Sequence, residues 1–161
     1  MILGVNHFSI TVKDLDKVVA FFRDRLGLTH IWPTYEYKGQ MIDNVTGLSG
    51  AHLRIAKIEV GEVILEFIQY LAPPGRELKG NTNDVGCPHI GFVVDDIEEM
   101  YKTLTEQGVR FKSPPQWNRN EGHPMYGWGG SLFMGPRGYH PGVDAGAEIA
   151  SPADITRATP D

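Results

Sequence analysis

Hydrophobic and polar positions follow the same order twice along this chain. HFSITVKDLDKVVAFF, from His7, and HIGFVVDDIEEMYKTL, from His89, each open on a histidine, run through a β-patterned stretch and reach an aspartate seven residues on, Asp14 or Asp96. Behind each aspartate the apolar positions switch to a wider spacing: Leu15, Val18, Val19, Phe22 and Leu26 in the first copy, Ile97, Met100, Tyr101 and Leu104 in the second. Recurrence at i, i+3, i+4 and i+7 marks one face of a helix, and an Asp just ahead of it is a natural N-cap. Gly27-Leu28 and Gly108-Val109 then turn each copy into another strand. The copies lie 82 residues apart, His7 to His89.

For the first module, residues 1–70, the pattern predicts strand 3–12, helix 14–26, strand 28–33 and two strands at 51–60 and 63–70, with Gly61-Glu62 as the turn between the last two. Residues 34–50 read as a long polar excursion. Residues 71–87 read as a linker, in which Pro73-Pro74-Gly75 stops the preceding strand. The second module, residues 88–134, repeats strand 88–94, helix 96–107 and strand 109–112, followed by a long loop and a short strand in GSLFM. Past Met134 turn formers stand at almost every third position. The irregular tail 135–161 offers AEIA as its one strand-like run, so the counterpart of VILEFIQY is the doubtful element.

Composition narrows the class. A chain of 161 residues can bury a substantial core, and two half-size modules sharing it make better sense than two independent domains. The formal charge of −5 and pI near 5.6 give no basic footprint for nucleic acid. No run of about 18 apolar residues is present, so no membrane partner is expected. The start MILGVNHFSI lacks a basic n-region and reads as a strand. Cys87 is the single cysteine, which suits a reducing, cytoplasmic setting.

Period-two alternation in VILEFIQY puts Ile64, Glu66 and Ile68 on one face and Val63, Leu65 and Phe67 on the other. Both faces are mostly apolar, so Glu66 is expected to be buried, and a buried carboxylate is costly unless paired, hydrogen-bonded or bound to a metal. His7 and His89 begin the strands of their modules. One Glu between two imidazoles makes an N/O set suited to Zn, Co, Ni, Mn or Fe. Taken singly, a histidine at a strand start is more often structural and a strand Glu more often salt-bridged; the repeat symmetry is what favours one divalent metal ion. His30, His52, His123 and His140 have no symmetry mates and read as ordinary surface or loop histidines.

These residues resemble the vicinal oxygen chelate superfamily, which contains glyoxalase I, methylmalonyl-CoA epimerase and the extradiol ring-cleaving dioxygenases. The resemblance runs over roughly residues 5 to 134 and is carried by NHFSITVKDLDKVVAFFRDRLGL, EVILEFIQY and PHIGFVVDDIEE. It implies an α+β fold in which two βαβββ modules form a curved mixed sheet around a central cleft, within a single domain over residues 1–161. It also implies His7, Glu66 and His89 as metal ligands, a small-molecule substrate and a homodimer. The family's fourth ligand is a Glu in the last strand, inside a pattern like F-x-x-D-P-D-G-x-x-x-E-L. Phe133-Met134-Gly135-Pro136-Arg137-Gly138 resembles the lead-in, but Pro141, Gly142 and Val143 stand where that Glu is expected. Either the hairpin is elongated and Glu148 or Asp144 supplies the ligand, or the reading frame changes near Met134. Codons for GPRGYHPGVDAGA exist that, read one nucleotide later, spell DPEGITLELMQA, the family's strand with its Glu. That coincidence favours the frameshift, and the tail is then expected to form no eighth strand.

The activity implied is that of a glyoxalase-like lyase, isomerase or epimerase that removes the proton next to a carbonyl, with Glu66 and the last-strand Glu as candidate bases. An iron-dependent ring-cleaving dioxygenase is a second reading, because two His and one Glu form a facial triad. A non-enzymatic, drug-sequestering binder is a third, resting on Trp117, Tyr126 and Trp128 in the loop at 114–130 as a cover for a flat ligand. The loops at 34–50, 71–87 and 114–130 must set the substrate.

Overall fold

A computed structural model describes residues 1–76 and 81–135, and the backbone of residues 146–150. The described residues fall into two compact units, one in 1–76 and the other in 81–135 together with 146–150. Each has the α+β makeup expected of a βαβββ module, with a curved, mixed, four-stranded sheet and no closed barrel.

In the first unit, β1 (Phe8–Thr11) leads into α1 (Leu15–Asp24), β2 (Tyr35–Lys38), α2 (Gln40–Thr46), β3 (His52–Val60) and β4 (Val63–Ala72). The sheet order is β1-β4-β3-β2, with β1 parallel to β4 and the other pairs antiparallel. Asp14 caps α1 by accepting from the Lys17 N–H at 3.1 Å. The helix buries Leu15, Val18 and Phe22, and the Phe22 ring meets Phe67 of β4 with centroids 4.9 Å apart. Leu65 and Phe67, with their β3 partners Ile58 and Ala56, therefore form the helix-covered face. Alternation turns Glu66 and Lys57 to the other face, where Leu53, Ile55 and Ile68 pack with Ile42 of α2.

The second unit repeats this plan: β5 (Ile90–Val93), α3 (Ile97–Glu106), β6 (Gln116–Trp117), β7 (Gly129–Met134) and β8 (Gly146–Ala150), in the order β5-β8-β7-β6. Asp96 caps α3 through the N–H groups of Glu98 and Glu99, both at 3.0 Å. Phe111 links Tyr101 of the helix to the buried Phe133 of β7.

Three expectations change. Residues 34–50 are not an open excursion, for they hold β2 and α2. Helix α2 escapes pattern reading because it buries only Ile42; Gly39 and the left-handed Gly47 bracket it, and the Asp43 carboxylate accepts from the Gly50 and Ala51 N–H groups to close the following turn. Strands 28–33 and 109–112 shrink to single bridges, Ile31 to Ile58 and Phe111 to Phe133. The third change is the tail. An eighth strand forms from the chain as it stands, Gly146–Ala150, parallel to β5 and antiparallel to β7. A central strand is held by backbone ladders on both sides, and this lowers its need for a long amphipathic pattern. Asp144 lies outside the described residues.

Two measurements follow from this scaffold. Ending the chain at Gly135 removes β8, which lies between β5 and β7, so hydrogen exchange at Ile90–Val93 should become fast while β3 and β4 stay protected. At Asp14, the Lys17 side chain and then the Lys17 N–H hold the carboxyl below its ordinary value. A group depressed in the folded state stabilises fully above its unfolded pKa and loses that contribution as pH falls through the folded one. Asp14→Asn keeps a capping acceptor. Its urea midpoint at neutral pH should fall slightly, because the Lys17 pairing is lost, and the difference from the parent should vanish as pH falls below about 4.

Candidate functional site

The first unit brings His7 and Glu66 together. Glu66 sits mid-strand on β4, 7 % exposed, and its Oε1 lies 3.4 Å from His7 Nε2. Asn6 Oδ1 stands 2.8 Å from His7 Nδ1. With Nδ1–H donating to that amide oxygen, the Nε2 lone pair of a neutral ring would face Glu66. Two acceptors facing each other favour a cation between them, whether a proton or a metal ion. Fixing one ring nitrogen through a hydrogen bond at the other is how ligating histidines are commonly oriented.

Glu66 has a second partner that the sequence reading missed. Lys57, its register partner on β3, places Nζ 3.2 Å from Oε2. Burial works against the ammonium, but the Glu66 carboxylate outweighs it, with help from Tyr35, and Lys57 is held above its ordinary value. Lys57 also lies over the Trp32 ring, 5.6 Å from its centroid, and Trp32 Nε1 donates to Glu59 Oε1 at 2.6 Å. The signal was available: in HLRIAKIEV, Lys57 falls in the same alternation as Leu53 and Ile55, a charge on an apolar face, just as Glu66 does in β4.

His89 precedes β5 in the second unit and lines a cavity of about 340 Å³ together with Lys112, Ser113, Gln116, Trp128 and Leu132, among others. Of the three aromatic candidates, Trp128 lines this cavity. Trp117 points to the other side of its strand, its Nε1 donating to Glu98 of α3 at 3.2 Å and its ring packed on Gly129 so closely that an added Cβ would lie 2.7 Å away. Tyr126 is exposed in the loop between β6 and β7. That loop is closed on itself: Asn118 N–H donates to the Trp128 carbonyl, Gly127 N–H to the Asn118 carbonyl, and His123 Nδ1 accepts from both Asn118 Nδ2 and Met125 N–H.

At the position matching Glu66, β8 carries Glu148. Ser9 and Lys57 are the strand neighbours of Glu66; Gly91 and Leu132 are those of Glu148. The interval from Glu66 to Glu148 equals that from His7 to His89.

The sequence profile of the Glyoxalase/Bleomycin resistance protein/Dioxygenase superfamily matches residues 4–139. The chain belongs to this superfamily. It is 30% identical over 118 residues to a 2-epi-5-epi-valiolone epimerase of Actinomyces sp, a match covering 71% of this chain and 64% of the epimerase. It is 32% identical over 115 residues to the lactoylglutathione lyase of Schizosaccharomyces pombe, covering 67% of this chain and 38% of the lyase. The chain thus spans under two thirds of each of these curated relatives. In fold it is similar to a glyoxalase family protein from Bacillus cereus, at a TM-score of 0.74 and 24% identity over 94% of this chain and 95% of that one. It is also similar to the fosfomycin resistance protein of Listeria monocytogenes solved with Mn(II) and sulfate, at a TM-score of 0.55 and 17% identity over 99% and 100% of the two chains.

The closed loop gives a direct test. Asn118→Ala deletes two neutral side-chain hydrogen bonds, from Nδ2 to His123 and from the Asn120 N–H to Oδ1, and proteolysis within 118–128 should speed up about tenfold, equivalent to about 1.4 kcal/mol of local opening. Cleavage elsewhere should be unchanged in a limited-proteolysis time course.

Proposed function

We propose that this protein is a metal-dependent isomerase, epimerase or lyase acting on a small oxygenated carbonyl compound. The observation that carries this reading is the His7–Glu66 pair, an imidazole nitrogen 3.4 Å from the oxygen of a buried carboxylate, with Asn6 beside the other ring nitrogen. His7, Glu66 and His89 are the proposed ligands. Glu148, at the repeat position of Glu66, is the proposed fourth. Such an N/O set accepts Zn, Co, Ni, Mn or Fe, and a divalent ion held there supplies Lewis acidity toward a substrate oxygen.

The chain's own residues do the rest. A carboxylate beside the carbon next to the carbonyl takes its proton and returns it, and Glu66 and Glu148 are the candidates. The cavity at His89 admits a compact substrate, and Lys112, Ser113 and Gln116 give it polar contacts. Similarity to a protein named as an epimerase supports this direction at the level of reaction type. Trp128 on the cavity wall favours one alternative, a binder that shelters a flat ligand without turning it over. A homodimer fits the nearly full exposure of Met1, Ile2, Leu3 and Val5.

Metal analysis of the purified protein, followed by titration with Mn(II) and Zn(II), tests the reading. The parent should bind one ion per chain, and His7→Ala, Glu66→Gln and His89→Ala should each weaken binding by more than about 100-fold, beyond the effect of losing an outer-shell partner. Exchange of the substrate's carbon-bound proton with deuterated solvent should disappear in the same variants. Binding of substrate-like carbonyl compounds without metal or exchange would establish the binder instead. In sedimentation velocity, Leu3→Glu should shift a dimer toward monomer.

A further inference from the structure

The two oxygens of Glu66 are not equivalent. Oε1 faces His7 Nε2 at 3.4 Å, and Oε2 is taken by Lys57 Nζ at 3.2 Å. The Lys57 side chain is 16% exposed, so this is a largely desolvated ion pair and not a surface contact. The ammonium is also held from behind. Trp32 lies against it, and Trp32 is itself tied at two points, by its backbone N–H to the Lys57 carbonyl at 2.9 Å and by its indole N–H to Glu59 at 2.6 Å. Asn6, His7, Glu66, Lys57, Trp32 and Glu59 thus form one continuous row of side chains in the first unit. The second unit breaks the pattern at the matching node: where the backbone places Lys57 beside Glu66, it places Leu132 beside Glu148.

We propose that Lys57 is a positioning residue that commits Glu66 Oε2, so that the site offers a metal ion a single carboxylate oxygen, Oε1, beside His7. The metal half of this inference rests on the function proposed above; the ion pair itself does not. Lys57 keeps the carboxylate compensated before any ion arrives, because removing one member of a buried pair leaves the other charge desolvated and unpaired. It also places a positive charge next to the site, which weakens cation binding while fixing how the carboxylate is used. Lys57 therefore trades affinity for a defined, one-oxygen geometry.

Metal-free and cobalt-loaded protein test this in two steps. In metal-free protein, Lys57→Met should lower the melting temperature by about 5–10 °C, as expected for an uncompensated buried carboxylate in a domain of this size. Adding Glu66→Gln to that variant should recover at least half of the loss, because the unpaired charge is gone. With cobalt(II) chloride as the probe, Lys57→Met should bind the ion at least about tenfold more tightly, through release of like-charge repulsion. Its visible bands should weaken and shift as the second oxygen enters and the coordination number rises. Lys57→Arg should restore the parent spectrum. Additive effects of Lys57→Met and Glu66→Gln would overturn the ion-pair role outright, and a Lys57→Met cobalt spectrum identical to that of the parent would overturn the one-oxygen geometry. A parent protein that binds no cobalt while the two substitutions remain coupled would overturn the metal function and the one-oxygen geometry, leaving Lys57 as the structural partner of Glu66.

Discussion

One carboxylate buried in the middle of a strand organises the first unit. Glu66 lies in a run that is otherwise apolar on both faces, and a desolvated charge there must find compensation within its own sheet. The parallel pairing of β1 with β4 brings the residues before Phe8, His7 among them, alongside that position. The antiparallel β3 supplies Lys57 directly opposite. The helix-covered face, through Leu65, Phe67 and Phe22, fixes the strand's rotation and so decides that Glu66 points away from α1. Packing on one side of the sheet thereby sets the chemistry on the other.

The second unit reuses this frame with different contents. In both units the strand order is the same, an aspartate caps the first helix, and a single bridge docks the segment after that helix onto the sheet. Backbone N–H groups of Trp32 and Lys112 reach the carbonyls of Lys57 and Leu132, so these residues occupy matching nodes. Tryptophan and lysine in one unit correspond to lysine and leucine in the other. A repeated backbone gives two strands carrying glutamate at equivalent positions, with different residues in register beside them, Ser9 and Lys57 in one unit and Gly91 and Leu132 in the other. Such divergence allows a duplicated scaffold to hold carboxylates for different tasks.

Membership of the superfamily and the lining of the cavity beside His89 draw on different features of the chain. The family signal lies in the strands and helices that repeat. Trp128, at the end of the loop from Asn118, and Gln116 of the short β6 line the cavity beside His89, while Trp117 turns to the helix side. The loop is held by local hydrogen bonds and can change more freely than the sheet, whose edge is set by the close fit of the Trp117 indole on Gly129. Among the described residues no helix is long and apolar enough to cross a membrane.

The sequence by itself determined the repeat, the helices behind Asp14 and Asp96, the hairpin of β3 and β4, and the face on which Glu66 lies, because these follow from periodicities of 3.6 and 2.0 along the chain. It pointed to His7 through the repeat and to Glu66 through a charge in an apolar strand, the family resemblance joined them as ligands, and the fold brought them together. Tertiary structure decided what periodicity does not encode. Helix α2 has one buried residue and exists because Asp43, Gly39 and Gly47 close its ends. Strand β8 forms where turn residues dominate, because two neighbouring strands supply its hydrogen bonds. The Lys57 partnership needs the register of β3 against β4, a pairing between strands that no single stretch of sequence specifies.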